Sequence, residues 1–161
     1  MSHARTRLLL VAATVLGGIL AGGVIDRVVV GGPAWHQLGA EAWLQYSRRA
    51  DLGTGLIAYP IEGIGTTLLL IAAAISIYFD GTSRRAVTMP LYVAVALSVG
   101  GLLLTAKAAP IMLALASPQT AAAILHAFDK FFFWGLYLRG SLDTLAFVSV
   151  GWSLSNLRAI E

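Results

Sequence analysis

The sequence contains no cysteine, which excludes disulfides, thiolate-bound zinc, iron–sulfur clusters and a thiol nucleophile. Charge is nearly as scarce. Lysine, arginine, aspartate and glutamate make up 12% of 161 residues, against about 25% in an ordinary soluble domain. A soluble fold of this length needs more polar surface than that to cover its core. The basic residues form no dense patch, so no nucleic-acid partner is expected. There is also no phosphate loop, nucleophile elbow, dinucleotide fingerprint or HExxH pair. Internal repeats, low-complexity tracts and a second domain are likewise missing.

What the chain has is apolar length. Hydrophobic residues make up 58% of it and the mean hydropathy is +0.80. Four apolar stretches stand out, at about 8–30, 53–79, 86–108 and 132–157. Each is long enough to cross a hydrocarbon core of roughly 30 Å. Backbone groups in lipid must bond within their own segment, so the stretches are expected to be helices. The expected architecture is all-α, a single integral membrane four-helix bundle over residues 1–161. Its lipid bilayer is expected to be the bacterial cytoplasmic (inner) membrane.

The first stretch has a basic start at Arg5 and Arg7 and small residues at Ala21, Gly22 and Gly23, as a secretory signal does. Its apolar run continues through Val28, Val29 and Val30, beyond the roughly 7–15 residues of a signal core, so it reads as a retained span. The glycines along it, with Gly63, Gly65, Gly100 and Gly101, suit close helix packing. Lys107 and Pro110 are expected to end or kink the third span.

The connections differ. Asp80 to Arg85 is a short polar turn that makes spans two and three an antiparallel hairpin. The first connection reads as an interfacial amphipathic helix beginning at Pro33, with Trp35, Leu38, Ala42 and Tyr46 opposite His36, Glu41 and Arg48. The third reads as another, with Ser117 as N-cap and Pro118 in the first helical position. Ile124, Leu125, Phe128, Phe131 and Phe132 form its apolar stripe, and it runs into span four with a bend expected at Gly135.

Four antiparallel crossings bring the unusual charges to one side of the membrane. Asp26 and Arg27 end span one, Glu62 lies early in span two, Lys107 ends span three, and Arg139 and Asp143 begin span four. These six cancel in sign. At 1.5 Å per residue, Glu62 and Asp143 lie roughly 10–13 Å inside their spans. Ionisable groups at that depth cost about 2.5–3.5 kcal/mol each on insertion scales, so they are expected to face inward and pair. Two readings remain open: a buried ion-pair network that fixes helix register, and a pocket for a hydrophobic aromatic or quinone-like molecule. Arg139 and Asp143 are spaced i, i+4 and share a helix face.

His36 and His126 fall on the same side, one in each interfacial helix. Either suits a general base near neutral pH. Neither has the spacing of a metal or haem motif, and no metal or cofactor is expected. Trp35, Trp43, Tyr46, Trp134 and Tyr137 read most simply as an aromatic belt at the membrane interface. Outside the embedded charges, Arg5, Arg7, Arg84, Arg85 and Arg158 lie on the side of both termini, and Arg48, Arg49 and Lys130 lie opposite. That bias places both termini in the cytoplasm.

The segment Pro33 to Trp43, followed by Tyr46-Ser47-Arg48-Arg49-Ala50-Asp51, resembles the segment after the first helix in the anthrone oxygenase-like family of small bacterial membrane proteins. The run Phe128 to Trp134, then Leu138-Arg139-Gly140 and Leu145-Ala146-Phe147, is similar to that family's final-helix pattern. The resemblance covers nearly the whole chain in layout. It implies a four-helix membrane protein, some of whose relatives oxidise anthrones to anthraquinones with molecular oxygen and without metal or flavin. On that reading His36, Glu62, His126 and Arg139 are the catalytic candidates. Asp26, Arg27, Lys107, Trp134 and Asp143 are the substrate-binding candidates. The competing reading is a non-enzymatic membrane subunit, in a homo-oligomer or a larger membrane complex, whose ion pairs are structural and partner-binding.

Overall fold

Long runs of leucine, valine, isoleucine and alanine leave the backbone no favourable partner but itself, and the chain is helical almost throughout. The computed structural model describes residues 2–81 and 84–158. Its helices are α1 (Ser2–Asp26), α2 (Gly32–Leu38), α3 (Ala40–Arg49), α4 (Gly55–Phe79), α5 (Arg85–Ala114), α6 (Ala121–Phe131) and α7 (Arg139–Arg158). The four long ones, α1, α4, α5 and α7, form a bundle in which α1 contacts α4, α4 contacts α5, α5 contacts α7 and α7 returns to α1. No strand occurs among the described residues.

Among the described residues, three helical segments are long and apolar enough to cross a membrane by length and composition: Ala4–Leu38, Ala40–Phe79 and Arg85–Ala114. The fourth apolar stretch, at about 132–157, is not among them. In α7, Arg139, Asp143, Thr144 and four serines dilute the apolar character of a 20-residue helix. The expected turn at Asp80 is present as far as Gly81, which takes φ +67, a conformation that favours glycine. Thr82 and Ser83 lie outside the described residues.

Local expectations fare unevenly. Pro33 does sit in the first turn of a helix. The amphipathic helix after it is broken, however, because Gly39 adopts φ 90 and ψ 165 and starts a new helix at Ala40. The turned backbone changes the buried face. Trp43, Leu44 and Ser47 go inside, while Leu38 and Tyr46 stay exposed. Neither Lys107 nor Pro110 ends α5, since the helix runs on to Ala114. The N-cap of α6 is Thr120, whose hydroxyl accepts from the Ala123 amide at 3.3 Å, three residues beyond the expected Ser117.

Three π-helical turns, Arg27–Gly31, Ala50–Thr54 and Phe132–Leu138, join the long helices to the short ones. Each contains a glycine, and Gly53 leaves helical geometry altogether at φ -94, ψ -117. The last turn contains Gly135, where a bend was expected.

The core is divided in two. At one end Leu10, Leu70, Ile77, Val87, Leu91 and Val150 pack the four long helices together. At the other, Trp43, Leu44, Leu115, Phe128, Phe132 and Leu136 tie the short helices over the bundle. Within the second core the Trp43 and Phe128 rings meet edge to face with centroids 5.3 Å apart, and the Phe128 and Phe132 rings are tilted by 40° at 4.4 Å. A polar band containing Thr66, Thr67, Ser98, Arg139 and Asp143 lies between the two cores in chain position.

Candidate functional site

The nine sequence-selected residues do not converge on one pocket. They fall into an ion pair beside the short helices, a pair inside the bundle, a groove beside α6, and single side chains outside these.

Arg27 opens the first π-helical turn. Its guanidinium pairs with Asp51 in the second π-helical turn and with the Tyr59 hydroxyl, and it lies over the Tyr59 ring at 4.9 Å from the centroid. Tyr59 in turn donates to Asp51 at 3.2 Å. Asp51 is 6% exposed, so this is a largely desolvated unit. Its neighbour Asp26 points to the exposed side. Asp51 and Tyr59 were not selected from the sequence. Asp51 precedes a Leu-Gly-Thr-Gly run that suggests a loop, and only the helical turn there brings it back against Arg27.

Arg139 and Asp143, one turn apart on α7, are paired at 3.2 Å between Nε and Oδ2. By hydrogen-bond geometry Asp143 Oδ2 has no partner among the described residues. The pair is inserted between α4 and α5. A Cβ added at Gly101 would lie 2.6 Å from Asp143 Oδ1, and one at Gly63 would lie 3.9 Å from an Arg139 terminal nitrogen. Glycine at 101 is therefore what admits the carboxylate. Glu62 lies next to Gly63 and is half-buried.

The groove has a volume of about 420 Å³ and is lined by the end of α5, the chain after it, α6 and Trp134. That volume is within the roughly 300–1,000 Å³ usual for small-molecule sites. Its floor is apolar, from Ile111, Leu115, Ala123 and Ala127, and its polar groups are Gln119, His126 and Lys130. Gln119 is partly spent, donating to the Ala114 carbonyl at 2.8 Å. Lys107 adds a cation nearby, its Nζ 5.1 Å from the Trp134 ring centroid. Of the selected residues the groove thus gathers His126 and Trp134, with Lys107 at its edge.

His36 is elsewhere. Its Nδ1 lies 2.8 Å from the Gly32 carbonyl, which can only accept, so Nδ1 carries a proton. The ring packs on Phe128 and Phe132 at 5.0 and 4.9 Å. Among the described residues, no three histidine, aspartate or glutamate side chains come close enough to share a cation.

No family model, curated protein or solved structure matches the chain.

Proposed function

We propose that this is a multi-pass membrane protein that binds an acidic, hydrophobic aromatic molecule, anthrone-like or quinol-like, in the groove beside α6, and oxidises it with molecular oxygen without a cofactor. The observation that carries the reading is the groove itself, an apolar floor bordered by one titratable base, His126, and by the cations Lys130 and Lys107. An anthrone is a carbon acid. His126 takes a proton from its methylene carbon, and Lys130 and Lys107 hold the resulting phenolate-like anion. The carbanion passes its electrons to oxygen, a carbon–oxygen bond forms, and loss of water leaves the quinone carbonyl. The anthrone oxygenase-like resemblance supports this reading. His36, Glu62 and Arg139 lie off the groove and are assigned no step in it.

In this proposal α1, α4, α5 and α7 cross the bacterial inner membrane with both termini cytoplasmic. The helices α2, α3 and α6 then lie at the outer interface, where an aromatic substrate partitions from the lipid. The test is quinone formation from an anthrone under oxygen by the purified full-length chain in detergent. Loss of turnover in His126→Ala with the fold intact supports the enzyme. Absence of any quinone above the uncatalysed rate refutes it.

A second reading is a non-enzymatic subunit of a membrane assembly. It is favoured by the internal pairing of Arg27 with Asp51 and of Arg139 with Asp143, which holds those charges within the chain. Arg139→Ala and Glu62→Gln discriminate: if both variants lose folded protein and the wild type shows no turnover, the charges are structural.

A further inference from the structure

Threonines inside helices commonly return their hydroxyl to the carbonyl one turn back. Thr14, Thr67, Thr88, Thr105 and Thr144 all do so here, at 2.7–3.3 Å. Thr66 does not. It is 4% exposed, and its Oγ1 has no hydrogen-bond partner among the described residues. Asp143 Oδ2 is in the same condition, in a residue 7% exposed. A buried hydroxyl and a buried carboxylate oxygen left unbonded are each costly.

The two residues line the same small void, about 10 Å³, between α1, α4, α5 and α7. That is about the volume that admits one water, roughly 10–15 Å³. Ser98 lines it as well. The direction of the Ser98 bond follows from proton counting. Thr67 spends its single proton on the Gly63 carbonyl at 2.9 Å, so Ser98, 2.6 Å from Thr67 Oγ1, must be the donor to it. The Ser98 oxygen is then left with lone pairs only.

We propose that this void is a binding site for a single structural water bridging α4, α5 and α7. The water donates to Asp143 Oδ2 and to Ser98 Oγ and accepts from the Thr66 hydroxyl, three bonds that match the usual valence of a buried water. A cation does not suit the site, because the Arg139 guanidinium already lies 3.2 Å from Asp143 Oδ2. Gly17 also lines the void, and a Cβ there would come 3.3 Å from the Thr66 methyl, so a small residue on α1 keeps room for the threonine. The site stands apart from the groove and does not depend on any activity.

The experiment is the isosteric variant Thr66→Val in the full-length chain in detergent, with Thr66→Ser as control. Occupied and dry voids predict opposite signs. If a water is bound, valine removes one of its partners and leaves Asp143 less satisfied, so the thermal midpoint falls. If the void is dry, valine removes an unbonded buried hydroxyl, and the midpoint stays or rises. The second readout is infrared difference spectroscopy on exchange into H₂¹⁸O, which detects an internal water directly. The proposal expects an isotope-sensitive band in the wild type and in Thr66→Ser that is lost or shifted in Thr66→Val. A wild type without such a band, or a Thr66→Val protein as stable as the wild type, overturns it.

Discussion

Arg27 and Asp51, 24 residues apart in the chain, are ion-paired between two π-helical turns, and the Tyr59 hydroxyl joins them. The pair fastens the end of α1 to the start of α4. Because Asp51 is nearly buried and Arg27 mostly so, removing one partner strands the other charge. Asp51→Ala is expected to cost about 3 kcal/mol in denaturation of the detergent-solubilised chain. The double replacement Arg27→Met, Asp51→Leu should recover most of that loss, since matched apolar groups leave no unpaired charge.

The glycines should respond according to what lies over them. Gly101→Ala drives a methyl toward Asp143 Oδ1 and is expected to destabilise by about 1–3 kcal/mol, as overpacking does. Gly22→Ala and Gly23→Ala meet nothing within 4 Å. They should be neutral, or stabilising by up to about 1 kcal/mol from helix propensity. Thermal midpoints of the three variants give the comparison.

Arg48 holds the connection between α5 and α6. Its Nε donates to the Leu115 carbonyl at 2.8 Å and a terminal nitrogen donates to the Ser117 carbonyl at 3.0 Å. Arg48→Met keeps the apolar stem and loses both bonds, a cost of about 1–3 kcal/mol. Faster amide exchange across residues 115–120 is the expected signature, with the far core around Leu10 and Val150 unchanged.

In the groove, Lys130→Ala should weaken binding of an anionic aromatic ligand by about tenfold, the equivalent of roughly 1.4 kcal/mol for a charged hydrogen bond. Quenching of tryptophan fluorescence on titration measures it. Trp134→Phe should remove much of the quenching signal, because Trp134 lines the groove.

The proposed topology has its own test. A reporter fused to the C-terminus should read cytoplasmic in the wild type. Replacing Arg84 and Arg85 by alanine weakens the basic bias on that side and should increase the inverted fraction.

The legible part of the site was the part encoded locally. Arg139 and Asp143 pair because residues four apart on one helix share a face, and that spacing is visible in the sequence. Arg27 was recognisable as an embedded cation, but its partner was not. Asp26 is adjacent and Asp51 is distant, yet consecutive residues on a helix point in different directions, and the folded turn supplies the distant one. The break at Gly39 was hidden for a related reason. A glycine inside a periodic pattern is compatible with a continuous helix, and its φ 90 is settled by the packing of Trp43 and Leu44 against α6.

Composition and apolar length alone therefore determined that the chain is all-helical with long apolar segments, because backbone hydrogen bonds in such segments are satisfied along the chain itself. Tertiary structure decided which charges meet, where the helices unwind into π turns, and that Thr66, Ser98 and Asp143 surround one small void. Those outcomes depend on which side chains from separate helices arrive at the same place, and sequence spacing carries no such information across a loop.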